Sequence, residues 1–136
     1  RISRRPLPGH APRSIYQPVG LGDRFFDKVV FDAMALSYGN QQAGVEVWPS
    51  MQPALALQDH HGFATYPIQH NRQSESGAPY TGVVVQYEGD GIANAHAIYR
   101  QLPAVKSQIG CFLDTFLRTG TAVVVAPQTP GDPCTP

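Results

Sequence analysis

Net charge and lysine are what this sequence most lacks. Its 136 residues carry 10 basic and 10 acidic side chains, so the formal net charge is zero. Lysine is scarce, and the one local excess of arginine lies in residues 1–13. Proteins that bind nucleic acid usually present a basic face to the phosphate backbone, so this balance argues against that class of function.

Long apolar runs and a leader segment are also missing from the sequence. A membrane-spanning helix needs about 20 consecutive apolar residues, and no stretch of the chain approaches that length. The chain begins Arg-Ile-Ser-Arg-Arg-Pro, without an initiator methionine or the apolar region of a signal peptide. We therefore expect a processed product or a fragment that has no transmembrane segment.

Cysteine is scarce, with one residue in a predicted helix and one in a proline-rich tail. A Cys111–Cys134 disulfide would close a loop of about 22 residues and stabilise the fold by about 3 kcal/mol. The alternative is two unrelated thiols, one of them buried. A disulfide favours an oxidising compartment, so we expect a secreted, extracellular or periplasmic protein.

The elements that are present alternate between strands and helices. Apolar residues make up 42% of the chain, enough for a core, and the composition is rich in glycine and proline. Residues 14–19 are strand-like, 27–38 read as a helix, 81–87 form the clearest strand, and a helix follows from Pro103. This alternation predicts an α/β fold with a mainly parallel sheet, flanking helices and an insertion of short strands or loops.

Both predicted helices have an apolar stripe at spacings of three and four residues, and each stripe is expected to pack on the sheet. The members are Phe26, Val30, Ala33, Met34 and Ser37 in the first helix, and Ile109, Phe112, Leu113, Phe116 and Leu117 in the second.

The domain boundaries follow changes in composition. Residues 1–13 read as a linker or a processed N-terminal arm, and residues 127–136 as a proline-rich tail. Between them, residues 14–126 belong to one α/β domain and are expected to form its C-terminal part. Within it, residues 44–80 lack clear periodicity and form a candidate insertion or lid.

Two titratable residues follow strands directly and are the best candidates for a site. Asp23 comes after the first strand and His96 after the 81–87 strand. Ligands of α/β proteins gather beyond the carboxyl ends of the strands, so we expect this pair at one sheet edge. Asp23 could instead serve as a helix cap or turn residue, and Asp32 or Asp90 could be the acid beside His96.

Two segments carry a resemblance to a known family. Residues 20–26, Gly-Leu-Gly-Asp-Arg-Phe-Phe, and residues 94–96, Asn-Ala-His, with a closing helix at 108–117, resemble the C-terminal part of a secreted α/β-hydrolase of the lipase or esterase type. The resemblance implies that Asp23 is the acid and His96 the base of a hydrolytic triad, in the chain order of that family.

The serine that such a triad needs is absent from the sequence, because no Gly-x-Ser-x-Gly segment occurs. The resemblance then implies that the nucleophile lies in the N-terminal half of the same precursor or in a partner chain. The run Val83-Val84-Val85 also needs cover on both faces and neighbours on both edges, which favours a heterodimer. The implied reaction is hydrolysis of small-molecule or lipid carboxylic esters without a cofactor.

Other interpretations remain open at this point. The chain could be a non-catalytic binding or structural subunit with the same half-fold, or a small disulfide-stapled secreted domain. Asp59, His60, His61 and His70 could suggest a metal site, but their spacing matches no metal-binding motif, so no metal is expected.

Overall fold

Four parallel strands form the sheet that organises the chain, in the order β1–β6–β2–β3. A computed structural model describes residues 2–89 and 91–134. The strands are β1 (Ile15–Gly20), β2 (Gln41–Ala43), β3 (Phe63–Ala64), β4 (Arg72–Gln73), β5 (Pro79–Tyr80) and β6 (Gly82–Tyr87). The helices are α1 (Lys28–Tyr38), α2 (Met51–Ala56), α3 (Ile98–Gln101) and α4 (Pro103–Thr119), with a 3₁₀ turn at Ala95–Ala97.

Helices cover both faces of this sheet. On one face, α1 and α2 pack against alternate residues of β1 and β6, including Val19 and Val84. On the other face, Val83 and Val85 pack against Phe112 of α4 and the segment around Val124. This arrangement confirms the predicted α/β class with a mainly parallel sheet.

Strand β6 lies inside the sheet, with β1 on one side and β2 on the other. Val83 and Val84 have no exposed surface and Val85 has 2%. The neighbours and the cover that a partner chain was expected to supply to this strand therefore come from the chain itself. The sequence did not reveal this because β2 is only three residues long.

Helices α1 and α4 begin and end at the capping residues from which they were predicted. Asp27 accepts a hydrogen bond from Lys28 N at the start of α1, and Gly39 ends that helix with φ 73°. Pro103 begins α4, and Gly120 ends it with φ 77°. A left-handed residue is the common way to end a helix, and glycine adopts it without steric cost.

The buried faces of both helices differ from the predicted ones. Helix α1 buries Phe31, Asp32 and Ala35, whereas Val30 is 40% exposed. Helix α4 buries Val105, Ser107, Gln108, Cys111 and Thr115, whereas Leu117 is 81% exposed. Apolar periodicity alone therefore gave the wrong buried face of α1, and it was right only in part for α4, where Ile109 and Phe112 of the predicted stripe pack against the core.

Directional bonds explain the orientation of α4. Gln108 Oε1 accepts hydrogen bonds from the hydroxyls of Tyr16 and Tyr87, and Gln108 Nε2 donates to Val125 O at 2.7 Å. Cys111, one turn further on, forms the disulfide. These groups must face the sheet and the tail, so Leu113, Phe116 and Leu117 of the apolar stripe lie toward solvent.

The predicted disulfide is confirmed between Cys111 and Cys134, with a Cα–Cα distance of 5.1 Å. It holds the tail against α4, and Gln128 N also donates to Ser107 Oγ at 3.1 Å. Among the described residues, no helix is long and apolar enough to cross a bilayer.

Residues 44–80 contribute to the core as well as to loops. Trp48, Met51 and Leu55 are buried against the sheet, and β3 extends that sheet at its edge. Strands β4 and β5 form a separate antiparallel pair. The lid role predicted for this segment therefore concerns only its exposed stretches, and it stays a prediction.

Candidate functional site

Asp23 is held by the turn that follows β1. Its Oδ1 atom accepts hydrogen bonds from Phe25 N at 2.7 Å and Phe26 N at 3.1 Å. Asp27, not Asp23, caps the helix that comes next. The backbone of the turn thus fixes one carboxylate oxygen of Asp23 and leaves Oδ2 free to bond elsewhere.

His96 lies in the 3₁₀ turn that follows β6. Asn94 Oδ1 accepts a hydrogen bond from His96 N at 3.0 Å, which caps this turn. The turn packs directly on Gly20 at the end of β1. A Cβ atom at that position would lie 2.8 Å from Ala95 O, so only glycine permits the close approach.

The two turns bring Asp23 and His96 into direct contact. His96 Nδ1 lies 3.0 Å from Asp23 Oδ2, and the side chains are 42% and 4% exposed, respectively. Among the described residues, His96 Nε2 has no hydrogen-bond partner. The carboxylate is therefore shielded, whereas the ring of the histidine is open to solvent on its far side.

The surroundings favour the ionised form of Asp23. Burial raises the pKa of this carboxyl, but the amides of Phe25 and Phe26 and the ring of His96 outweigh it. The pKa of Asp23 therefore lies below its ordinary value. Near neutral pH the site therefore holds a carboxylate that can accept a hydrogen bond from a protonated Nδ1 of the imidazole.

Aromatic side chains flank the histidine at the mouth of a small cleft. The ring centroids of Phe25 and Phe26 lie 4.8 and 5.6 Å from that of His96. The cleft measures about 160 Å³. Apart from the Asp23–His96 pair (the dyad) and the hydroxyl of Tyr99, the residues that line it are apolar: Pro18, Gly20, Asp23, Phe26, Phe31, Met34, Ala95, His96, Ile98 and Tyr99.

Of the two alternative acids, Asp32 does not take the place of Asp23 in this contact. Asp32 is 6% exposed and accepts hydrogen bonds from Trp48 Nε1 at 3.0 Å and Ser50 Oγ at 2.5 Å. Asp90 lies outside the described residues.

Of the remaining histidines, His60 has its side-chain contacts elsewhere in the chain. His60 is buried beside Arg72, and its ring nitrogens lie 2.6 Å from Arg72 Nη2. Burial and the positive charges of Arg72 and Arg4 lower the pKa of His60 to about 4, so it is neutral at pH 7. In the described part of the chain, no three histidine, cysteine or acidic side chains gather to hold a metal ion.

Sequence reasoning missed the residues that support the pair. The amides of Phe25 and Phe26, the cap from Asn94 and the small size of Gly20 all fix the geometry of the site. An asparagine two residues before a histidine and a glycine at the end of a strand were the available signals.

Comparisons with known proteins identify no relative, so the function must be inferred from the geometry of the site. No protein-family model, curated protein or solved structure matches this chain. The chemistry that the Asp23–His96 pair can perform by itself is proton transfer. An imidazole oriented through Nδ1 by a carboxylate can take a proton at Nε2 and later return it.

Proposed function

We propose that this chain supplies the acid and the base of a serine hydrolase that cleaves carboxylic esters. His96 would take the proton of a serine hydroxyl at Nε2 as the oxygen attacks the ester carbonyl. It would then give that proton to the departing alcohol. Asp23 would hold the ring in the required tautomer and stabilise its positive charge.

The single observation that carries this proposal is the hydrogen bond between Asp23 and Nδ1 of His96. With Nδ1 protonated, the lone pair of the neutral ring resides on Nε2, which is the atom without a described partner. The shielded carboxylate with a lowered pKa gives the pairing that such a base needs.

The proposed nucleophile and oxyanion donors belong to another polypeptide segment. None of the residues that line the cleft is a serine, a threonine or a cysteine. We therefore propose that the serine lies in an N-terminal part of the same precursor or in a partner chain, and that the protein acts outside the cytosol.

The surroundings of His96 favour an apolar ester as substrate. Phe25 is 70% exposed and Phe26 is 42% exposed beside the ring, and the cleft has no cationic side chain in its lining. These surfaces would bind an alkyl or acyl chain and leave a charged group without a partner. A lipid or a small uncharged ester fits this description.

The tautomer of His96 tests the proposal on the chain as it stands. Nitrogen-15 NMR at pH 8 should show the proton on Nδ1, and Asp23→Asn should shift it toward Nε2. Asp32→Asn is the matched control, because Asp32 has no contact with the ring. A proton on Nε2 in the unmodified chain would remove the basis for His96 as the base.

A second candidate is a disulfide-stapled binding domain without catalysis. It is favoured by the central strand β6, which has both neighbours and cover on both faces within the chain. Such a domain would fold alone as a monomer. A binding subunit would instead form a tight assembly that does not turn over esters.

A further inference from the structure

One edge of the parallel sheet is open, and it belongs to the strand that delivers Asp23. In the described chain, β1 pairs with β6 on one side and with no strand on the other. Ile15 N and Leu21 N donate to Thr81 O and Tyr87 O. Because backbone groups alternate along a strand, the odd-numbered residues face β6 and the even-numbered ones face the open edge.

The backbone groups of Tyr16, Pro18 and Gly20 therefore point toward this edge, where Tyr16 and Pro18 are half-buried and Gly20 is buried between the groove walls. No described residue forms a hydrogen bond with the main chain of these three. Tyr16 and Gly20 each offer an N–H, and all three offer a C=O, whereas proline has no N–H to leave unsatisfied. Pro18 is thus placed at the one side of β1 where it removes no bond from the existing ladder.

This edge lies in a groove with an apolar wall on each side. Phe31 and Met34 of α1 form one wall, and Ile98 and Tyr99 of α3 form the other. The groove runs along Pro18 and ends at Asp23 and His96. The apolar surface continues beyond it, with Val29 of α1 70% exposed.

We infer that the open edge of β1 binds a parallel strand of the polypeptide that carries the serine. This inference rests on the proposed function, whose site it completes. Parallel strands occur almost only in sheets covered on both faces, and the walls of this groove supply such cover. A strand parallel to β1 also ends at the same edge of the sheet as Asp23 and His96, so the turn after it reaches the dyad.

A second copy of the chain fits this edge less well than a different polypeptide does. A two-fold axis would pair two copies of β1 in antiparallel orientation. With Tyr16 of each copy opposite Gly20 of the other, the two Pro18 residues would meet at the centre and leave both central bonds unmade. A foreign strand meets only one proline.

The test fuses a strand probe to the N-terminus of the full chain. The probe has the sequence of β6, Gly-Val-Val-Val-Gln-Tyr, preceded by two lysines and joined through a flexible Gly/Ser linker. Tethering gives an effective concentration on the order of millimolar. The control fusion replaces the three valines of the probe by prolines, which cannot pair as a strand.

Amide hydrogen exchange measured by NMR reports the docking. The amides of Tyr16 and Gly20 should exchange about tenfold more slowly with the valine probe than with the proline probe. Pro18→Val should slow them further, because it restores the third donor of the edge. Met34→Glu in the groove wall should abolish the effect, and Leu117→Glu on the exposed face of α4 should leave it unchanged.

Three results would overturn the inference. The first is equal exchange of the Tyr16 and Gly20 amides with both probes. The second is slower exchange of the β3 amides instead of those of β1. The third is exchange that slows with rising protein concentration in the absence of any probe, which would indicate pairing between two copies of the chain. None of these measurements involves ester turnover. Docking without turnover in the native assembly would therefore contradict only the proposed function, whereas turnover without docking would contradict only the strand site.

Discussion

Asp23 and Asp32 lie on either side of the start of α1, and their carboxylates have different hydrogen-bond partners. Asp32 is buried and accepts hydrogen bonds from the indole of Trp48 and the hydroxyl of Ser50, neither of which titrates near neutral pH. Asp23 lies at the sheet edge, and its Oδ2 atom is hydrogen-bonded to Nδ1 of His96. Under the proposed function, the partner of each shielded carboxylate would decide its role: Asp32 would be structural and Asp23 would act on the reaction through His96.

The largest expected effect is a difference in ester turnover between variants of Asp23 and variants of Asp32. In the native assembly, Asp23→Asn should lower kcat for a p-nitrophenyl ester by about 10⁴-fold, because the ring would adopt the wrong tautomer. Asp32→Asn should change kcat by less than about tenfold, because any loss of packing acts on stability rather than on the reacting atoms. Equal losses for both variants would contradict the division of roles.

The second effect is a difference in the free energy of unfolding between variants of Asp32 and Asp23. Asp32→Ala leaves the buried indole N–H of Trp48 without a partner, whereas the exposed hydroxyl of Ser50 can bond to water, and we expect it to lower the free energy of unfolding by about 2 kcal/mol. Asp23→Ala breaks only the local turn and the bond to His96, and about 1 kcal/mol is expected. Urea denaturation of both variants measures this, and the reverse order would show that Asp23 is the structural acid.

A smaller effect concerns the distance between Asp23 and His96. In Gly20→Ala the new Cβ would meet Ala95 O, so the turn that carries His96 must shift. A displacement of about 1 Å at a reacting group can lower the rate by about 100-fold. Gly110→Ala in α4 is the control, since a Cβ there meets no atom within 4 Å and the helical backbone accepts alanine. A Gly20→Ala variant with full turnover would show that this close approach does not position the histidine.

The smallest effect is the pH dependence of Asp23. Its folded-state pKa lies below the ordinary value, so its ionisation stabilises the fold above the unfolded pKa of about 3.9. That contribution is lost as the pH falls through the folded pKa. The difference in unfolding free energy between the unmodified chain and Asp23→Ala should therefore shrink as the pH falls from 6 toward 3. A difference that grows on acidification would contradict the lowered pKa.

The sequence was most informative where local rules decide the structure. Asp27 and Gly39 bound α1, Pro103 and Gly120 bound α4, and the valine run of β6 lies in the core as expected. The meeting of Asp23 and His96 followed from one general property, that parallel strands end at a common edge.

The sequence was least informative where long-range polar contacts decide the structure. Which faces of α1 and α4 are buried depends on Asp32 and Gln108, whose partners are distant in the chain. Apolar periodicity cannot predict such bonds, because it depends only on the polarity of each side chain and carries no information about its hydrogen-bond partner. Strand β2 was missed for a related reason, since its buried Gln42 gives no apolar signal.

Native mass spectrometry with a fluorophosphonate tests the central proposal most directly. The protein would be isolated from its natural source and weighed under native and denaturing conditions, before and after the reaction. We predict an assembly of this chain with a second polypeptide segment that gains one phosphonate on a serine. A lone chain of 14.8 kDa without an adduct would contradict the proposal that Asp23 and His96 complete a serine hydrolase.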